Sequence, residues 1–89
     1  SPKIDNLYFN RGIAYAGKKM WTEAIADYSK AIEINSNNPS FYLNRGIVYG
    51  NVNQWKEAVS DFTKVLELDP QNKSANSYIE IARSKIKNP

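Results

Sequence analysis

Apolar residues recur along the chain at helical spacing, in stretches separated by short polar segments. Leu7, Tyr8, Gly12 and Tyr15 fall on one face of a helix, and Ile25, Tyr28 and Ile32 fall on one face of the next. Between them Gly17-Lys18-Lys19-Met20 reads as a turn, with Gly17 available for a positive φ. A second helix pair follows, its turn near Gly50-Asn51-Val52-Asn53. The linker Asn35-Ser36-Asn37-Asn38-Pro39 joins the pairs, Asn38 suiting an N-cap and Pro39 a first helical residue. Asp69-Pro70-Gln71-Asn72 plays the same part before a last helix, Lys73 to Lys87. That helix has Ala75, Ile79, Ala82 and Ile86 on one face and Asn76, Glu80, Arg83 and Lys87 on others. The pattern predicts an all-α chain of five helices: two antiparallel pairs and a closing helix that caps the stack and turns a polar side to water.

The two pairs are copies of one another. At a shift of 34 residues Tyr8 falls on Tyr42, Asn10 on Asn44, Arg11 on Arg45, Gly12 on Gly46 and Ile13 on Ile47. The same shift carries Tyr15 to Tyr49, Trp21 to Trp55, Glu23 to Glu57, Ala24 to Ala58 and Asp27 to Asp61. A repeat of this length is the mark of a helical solenoid. It sets one domain over 1–89, with repeat one at 5–38, repeat two at 39–72 and the capping helix at 73–87. The recurring small residues have a steric reason. Gly12 with Ala24, and Gly46 with Ala58, stand where the helices of each pair should cross, and small side chains let the axes come close. Tyr15, Tyr28, Tyr49 and Phe62 should then fill the layers beside each crossing.

Composition narrows the function. The chain has neither Cys nor His, so it lacks thiolate chemistry, the commonest general base and the commonest metal ligand. No Gly-rich phosphate loop or repeat-breaking polar constellation is present. No catalytic residue, cofactor site or metal site is expected, and the chain reads as something other than an enzyme. The net charge of +3 is mild and the basic residues are dispersed, with small clusters at Lys18-Lys19 and along Arg83, Lys85 and Lys87. A nucleic-acid partner is not expected on that distribution. No apolar run approaches a bilayer span, so membrane insertion is not expected either. The chain opens Ser1-Pro2 without Met, as a trimmed piece of a longer protein would. No targeting signal is visible, and the cytoplasm is the default expectation.

Tyr8, Gly12, Tyr15, Ala24, Tyr28 and Ala31 resemble the signature of the tetratricopeptide repeat family. Tyr42, Gly46, Tyr49, Ala58, Phe62 and Pro70 resemble a second copy, with Val65 in place of the usual Ala and Ser36 in place of the usual Pro. The resemblance spans about Asp5 to Asn72, and the remaining helix is similar to the family's closing helix. It implies a right-handed superhelix of antiparallel helix pairs. Its concave surface, lined by the first helix of each pair, holds a peptide or a helix of a partner.

On that frame the residues one step beyond the inward stripe face the groove: Phe9, Ile13 and Ala16 in repeat one, Leu43, Ile47 and Gly50 in repeat two, and Ser77, Ile81 and the nearby Tyr78 in the closing helix. Asn6, Asn10, Ser40, Asn44 and Ser74 border them. An apolar centre rimmed by amides and hydroxyls suits an amphipathic helix or apolar peptide, since an amide offers both a donor and an acceptor to a ligand backbone. Equally, Phe9, Leu43 and Ile47 can bury against one another or against other parts of a parent protein. Self-association is the alternative function, by end-to-end stacking or by exchange of the terminal helix about Asp69-Pro70.

Some members of the family hold the acidic tail of a chaperone with a clamp of Lys, Asn, Asn, Lys and Arg. Those positions hold Phe9, Ile13, Asn44, Ser74 and Tyr78, of which only Asn44 matches. Without the cations the charge-assisted bonds to a carboxylate are lost, and no binding of a chaperone tail is expected. The duplicated Arg11, Arg45, Asp27 and Asp61 point to ion pairs between neighbouring helices, Arg45 with Asp27 or Asp61.

Overall fold

Five helices follow one another through short turns in a computed structural model that describes residues 4–87. They are α1 (Ile4–Gly17), α2 (Trp21–Ile34), α3 (Pro39–Asn51), α4 (Trp55–Leu68) and α5 (Lys73–Lys87). No strand occurs among the described residues, and Ser1-Pro2 lies outside them. The starts of α3 and α5 are fixed by asparagine caps. Asn38 accepts from the Ser40 N–H at 2.9 Å, with Pro39 as the first helical residue, and Asn72 accepts from the Ala75 N–H at 2.9 Å. Each cap occupies one of the N–H groups that a helix start leaves unpaired.

The turns within the pairs correct two expectations. The left-handed residue is Lys19 (φ 61°), not Gly17, which ends α1 in helical conformation. Met20 N–H donates to the Tyr15 carbonyl at 2.9 Å and Lys19 N–H to that of Ala16 at 2.9 Å. This bond pair requires the left-handed residue immediately before Met20, two places beyond Gly17. Asn53 (φ 63°) repeats the arrangement, with Gln54 N–H on the Tyr49 carbonyl at 2.9 Å. Gly50 is likewise helical and not part of the turn. Its missing side chain makes room for an indole, since a Cβ there would stand 3.0 Å from Trp55 Cζ3.

Within each pair the helices meet at glycine. A Cβ on Gly12 would lie 2.7 Å from Tyr28 Cε1, and one on Gly46 would lie 2.7 Å from Phe62 Cε1 and 3.1 Å from Asp61 Cβ. Ala24 and Ala58 are fully buried beside these crossings, and Tyr28 and Phe62 are buried with them. Tyr15 and Tyr49 are half-buried against the same clusters, beside Ala24 with Tyr28 and Ala58 with Phe62, and with Tyr8 and Tyr42 they also bracket an arginine. The Arg11 guanidinium lies 5.7 and 5.8 Å from the Tyr8 and Tyr15 rings, and that of Arg45 lies 5.9 and 5.7 Å from those of Tyr42 and Tyr49. The rings' negative faces attract the cation from both sides.

Each bracketed arginine forks onto the aspartate of its own pair. Arg11 donates Nε and Nη2 to Asp27 at 2.8 Å each. Arg45 donates Nε to Asp61 at 2.9 Å and Nη2 to it at 2.8 Å, while Nη1 reaches Ser29 on α2 at 3.1 Å. Asp61 is thus the partner of Arg45, and Asp27 is taken by Arg11. Both aspartates are almost fully buried. Burial pushes the Asp61 carboxyl above the usual carboxylate range, and the hydrogen bond and charge of Arg45 pull it part of the way back. Those hydrogen bonds hold the Arg45 guanidinium more firmly protonated than usual, against the opposing effect of its own burial.

Pairs stack through α3 and α5. Phe41, fully buried, meets Phe9 of α1 with ring centroids 4.8 Å apart, and Val48 enters the cluster of Ala24 and Tyr28. Ala75, Ile79 and Ala82 of α5 enter repeat two in the same way, beside Val65, Ala58 and Phe62. Ile86, expected on this face, is 41% exposed, because the last turn of α5 reaches past the body of α4 to the shallow cleft beside Trp55.

Two measurements check this packing. Gly46→Ala is expected to lower stability by about 1–2 kcal/mol, since overpacking outweighs the ~1 kcal/mol gain in helix propensity. Lys19→Gly is expected to raise it by about 0.5–1 kcal/mol by relieving the left-handed backbone. Urea titration of both variants separates the effects. Arg45→Met strands the buried Asp61 charge and is expected to cost about 3 kcal/mol at pH 7. With its folded pKa raised further, Asp61 carries this penalty in full above that pKa. The penalty fades as the pH falls towards the unfolded value near 4. A loss that stays constant from pH 7 to pH 4 contradicts the assignment.

Candidate interaction groove

The inner side of the stack is set by which helices touch. α1 meets α3 and α3 meets α5, whereas α2 and α4 make no contact with each other. The first helices therefore lie side by side, and α2 and α4 splay apart on the outside.

The expected groove residues separate into three groups by burial. Asn6, Asn10, Ser40 and Ser77 are exposed. Asn44 is half-buried, and its Nδ2 donates to the Ser40 carbonyl one turn back at 2.9 Å, leaving the amide oxygen and the second N–H without a partner among the described residues. Ile13 and Ile81 are the open apolar side chains, 44% and 50% exposed. Phe9, Leu43 and Ile47 are half-buried and serve helix packing as well. Phe9 lies 5.7 Å from the Tyr28 ring as well as against Phe41, and Leu43 and Ile47 rest on the clusters that join α3, α4 and α5.

Ile47, Gly50 and Tyr78, all expected at the groove, come together with Gly46, Asn51, Trp55 and Phe62, which the periodicity did not single out for a ligand. A cleft of about 150 Å³ is lined by Gly46, Ile47, Gly50, Asn51, Trp55, Phe62 and Tyr78. Tyr78 stacks on Phe62 with centroids 5.6 Å apart and planes within 17°. Gly46, itself buried, packs directly on the Phe62 ring, and the half-buried Gly50, one turn on along α3, lies against the half-buried Trp55 indole. The walls are apolar and aromatic, with Asn51 at the margin, so the cleft is built for a hydrophobic side chain. A signal for it was present in the sequence: Gly50 stands where repeat one has Ala16 and so breaks the repeat over Trp55.

Among the described residues no group of three His, Cys, Asp or Glu side chains is placed to hold a metal, and no helix is long and apolar enough to cross a membrane.

Residues 18–53 match the family model described as TPR repeat, and residues 39–72 match the model described as tetratricopeptide repeat. No curated protein matches the chain in sequence. Among solved structures, the first TPR of Spaghetti (RPAP3) bound to the HSP90 peptide SRMEEVD superposes with a TM-score of 0.94 at 27% identity, over 99% of this chain and 70% of that one. The Arabidopsis OM64 TPR domain gives 0.92 at 26% identity, over 94% and 69%. The TPR2B domain of yeast Sti1 in its complex with pHsp70 gives 0.90 at 25% identity, over 98% and 69%.

Proposed function

The chain belongs to the tetratricopeptide repeat family, and from that premise we propose that it is a protein-interaction module, not an enzyme, which receives the apolar face of a partner peptide or helix along α1, α3 and α5. The cleft between α3 and α5 carries this reading. It presents the half-buried Trp55 indole and the partly exposed Tyr78 ring, and Ile13 on α1 and Ile81 on α5, 44% and 50% exposed, continue the apolar strip in this reading. An open apolar strip of this kind marks an interaction surface. A partner's apolar side chain would enter over Gly50, between Trp55 and Tyr78, and the amides of Asn44 and Asn51 would meet its backbone.

Two of the similar structures hold chaperone peptides, SRMEEVD from HSP90 in one and an Hsp70 segment in the other. The clamp positions of this chain favour a different ligand. Phe9 is wedged between Tyr28 and Phe41, Ile13 is aliphatic, and Tyr78 lies flat on Phe62. None offers a cation to a terminal carboxylate. The acidic SRMEEVD peptide is expected to bind no tighter than tens of micromolar, about 6–7 kcal/mol.

The test uses exposed positions, because Glu at Phe9 or Leu43 would disturb helix packing along with any ligand. A panel of amphipathic peptides is titrated into labelled protein. Resonances of Ile13, Ile47, Tyr78 and Ile81 are expected to move. Ile13→Glu with Ile81→Glu is expected to weaken the best binder at least tenfold, about 1.4 kcal/mol, while the helical circular-dichroism signal stays the same. Shifts confined to α2 and α4, or an unchanged affinity in the double variant, rule the groove out.

A further inference from the structure

The Trp55 indole forms part of the wall of two clefts. One is the cleft of about 150 Å³ that it shares with Gly50 and Tyr78, and the other, of about 370 Å³, has Lys56, Glu57, Lys85 and Ile86 on its walls. The benzo edge of the ring faces α3, since a Cβ on Gly50 would stand 3.0 Å from Cζ3 and 3.5 Å from Cη2. The pyrrole edge that carries Nε1 therefore points away from Gly50. Among the described residues the Nε1 N–H finds no acceptor, and because no buried side-chain nitrogen there lacks a partner, it is open to solvent.

The surroundings of this indole break the repeat, whereas Trp55 and Glu57 recur from Trp21 and Glu23. At the shift of 34 residues Gly50 stands for Ala16, Tyr78 for Asn44, Lys56 for Thr22 and Lys85 for Asn51. None of the four belongs to the buried core: Gly50 is half-buried, and Tyr78, Lys56 and Lys85 are exposed. Repetition marks what the packing of helix pairs requires, so departures gathered around one side chain answer a different demand. Charge divides the two clefts. The first has no charged side chain, while in the second two lysines face one glutamate, and among the described residues neither lysine makes an ion pair. Lys56, Lys85 and the indole N–H are all donors, and a carboxylate is the acceptor that suits them.

We propose that Trp55 joins the two clefts into one seat for an amphipathic partner helix that carries a carboxylate side chain one or two turns from its apolar anchor. The anchor lies over Gly50, between Trp55 and Tyr78, and to that extent the inference rests on the groove reading above. The new element is the acid, which accepts from Lys56 Nζ, Lys85 Nζ and the indole N–H. A helix matches the step between the clefts. Tyr78 and Lys85, one at each cleft, are two turns apart on one face of α5, about 10 Å, and a partner helix repeats that spacing between residues four or seven apart, about 6 and 10 Å. The seven-residue SRMEEVD segment is too short to hold such a helix.

The experiment uses two helical peptides of about 20 residues with a leucine face. Two Glu stand four and seven residues beyond that face, on its carboxyl side in one peptide and its amino side in the other, and each peptide has a twin with Gln at both places. Affinity is measured for the wild type, for Lys56→Gln with Lys85→Gln, and for Ile13→Glu with Ile81→Glu. The Trp55 indole N–H resonance, told from that of Trp21 by Trp21→Phe, is followed in parallel. One Glu peptide is expected to bind about fivefold tighter than its twin and to lose that advantage in the lysine variant and in about 0.5 M salt. The lysine variant is expected to bind the Gln twin as the wild type does, and the indole N–H is expected to shift further with Glu than with Gln. Equal affinity of both Glu peptides and their twins overturns the proposal, as does a Glu advantage that survives loss of both lysines or an indole N–H that responds to neither peptide. The groove reading survives those results as long as the Gln twins bind and lose affinity in Ile13→Glu with Ile81→Glu. Binding of no peptide, or binding indifferent to that double variant, overturns both.

Discussion

The close approach of one helix to the next at Gly12 and Gly46 is the constraint on which the arrangement depends. With no side chain at those points, the rings of Tyr28 and Phe62 lie directly against the opposing backbone. That proximity brings Arg11 and Arg45 within bidentate reach of Asp27 and Asp61, whose carboxylates are otherwise buried without a counter-charge. The glycine sets the distance and the ion pair sets the rotation of one helix about the other. A buried pair of this kind is weak evidence of net stability. Its fork fits one relative orientation, and it recurs unchanged in both pairs. The tyrosines one turn to either side then hold the guanidinium so that the fork is formed in advance.

The same geometry shapes the surface between α3 and α5. The α3 helix has one face against its own partner α4 and another against the preceding α2, while Ile13 on α1 and Ile81 on α5 stay partly exposed. Beside α3, Gly50 and the flat Tyr78 help to line a cleft. The aromatic side chains there have dual duty, since Phe62 fills the crossing below Gly46 and supplies the floor of the cleft above it.

The helices, their caps and their pairing were legible in the sequence because each rests on local chemistry or on the repeat. Asn38-Pro39 and Asn72 announce helix starts, and the shift of 34 residues announces two equal crossings. Both turns lie within the segments that the spacing marks, at Lys18-Lys19 and Val52-Asn53, but Gly17 does not take the positive φ: it ends a helix. Gly50, expected both near the turn and at the groove, is helical and makes room for Trp55. The positive φ fell to Lys19, whose side chain gives no such signal, and to Asn53, a residue type that tolerates the left-handed region, and it is imposed by where the helix carbonyls are closed off. For the surface, the sequence offers a stripe and not a shape. Helical spacing shows which residues share a face, but it does not show that Phe9 turns towards Phe41 or that Tyr78 lies flat on Phe62. Those choices are made by contacts between residues tens of positions apart.

Every tertiary contact between helices joins elements that are adjacent, or next but one, in the chain. Low contact order of this kind shortens the search that precedes the folding transition state, because each closure spans only a short loop. Either pair, completed by its own arginine and aspartate sixteen residues apart, can serve as the nucleus, and growth proceeds outward from it one helix at a time. Opening takes the reverse course. The terminal helices have neighbours on one flank only, so they detach first under force or denaturant, while α3, enclosed by both pairs, is the last to exchange its amide protons with water.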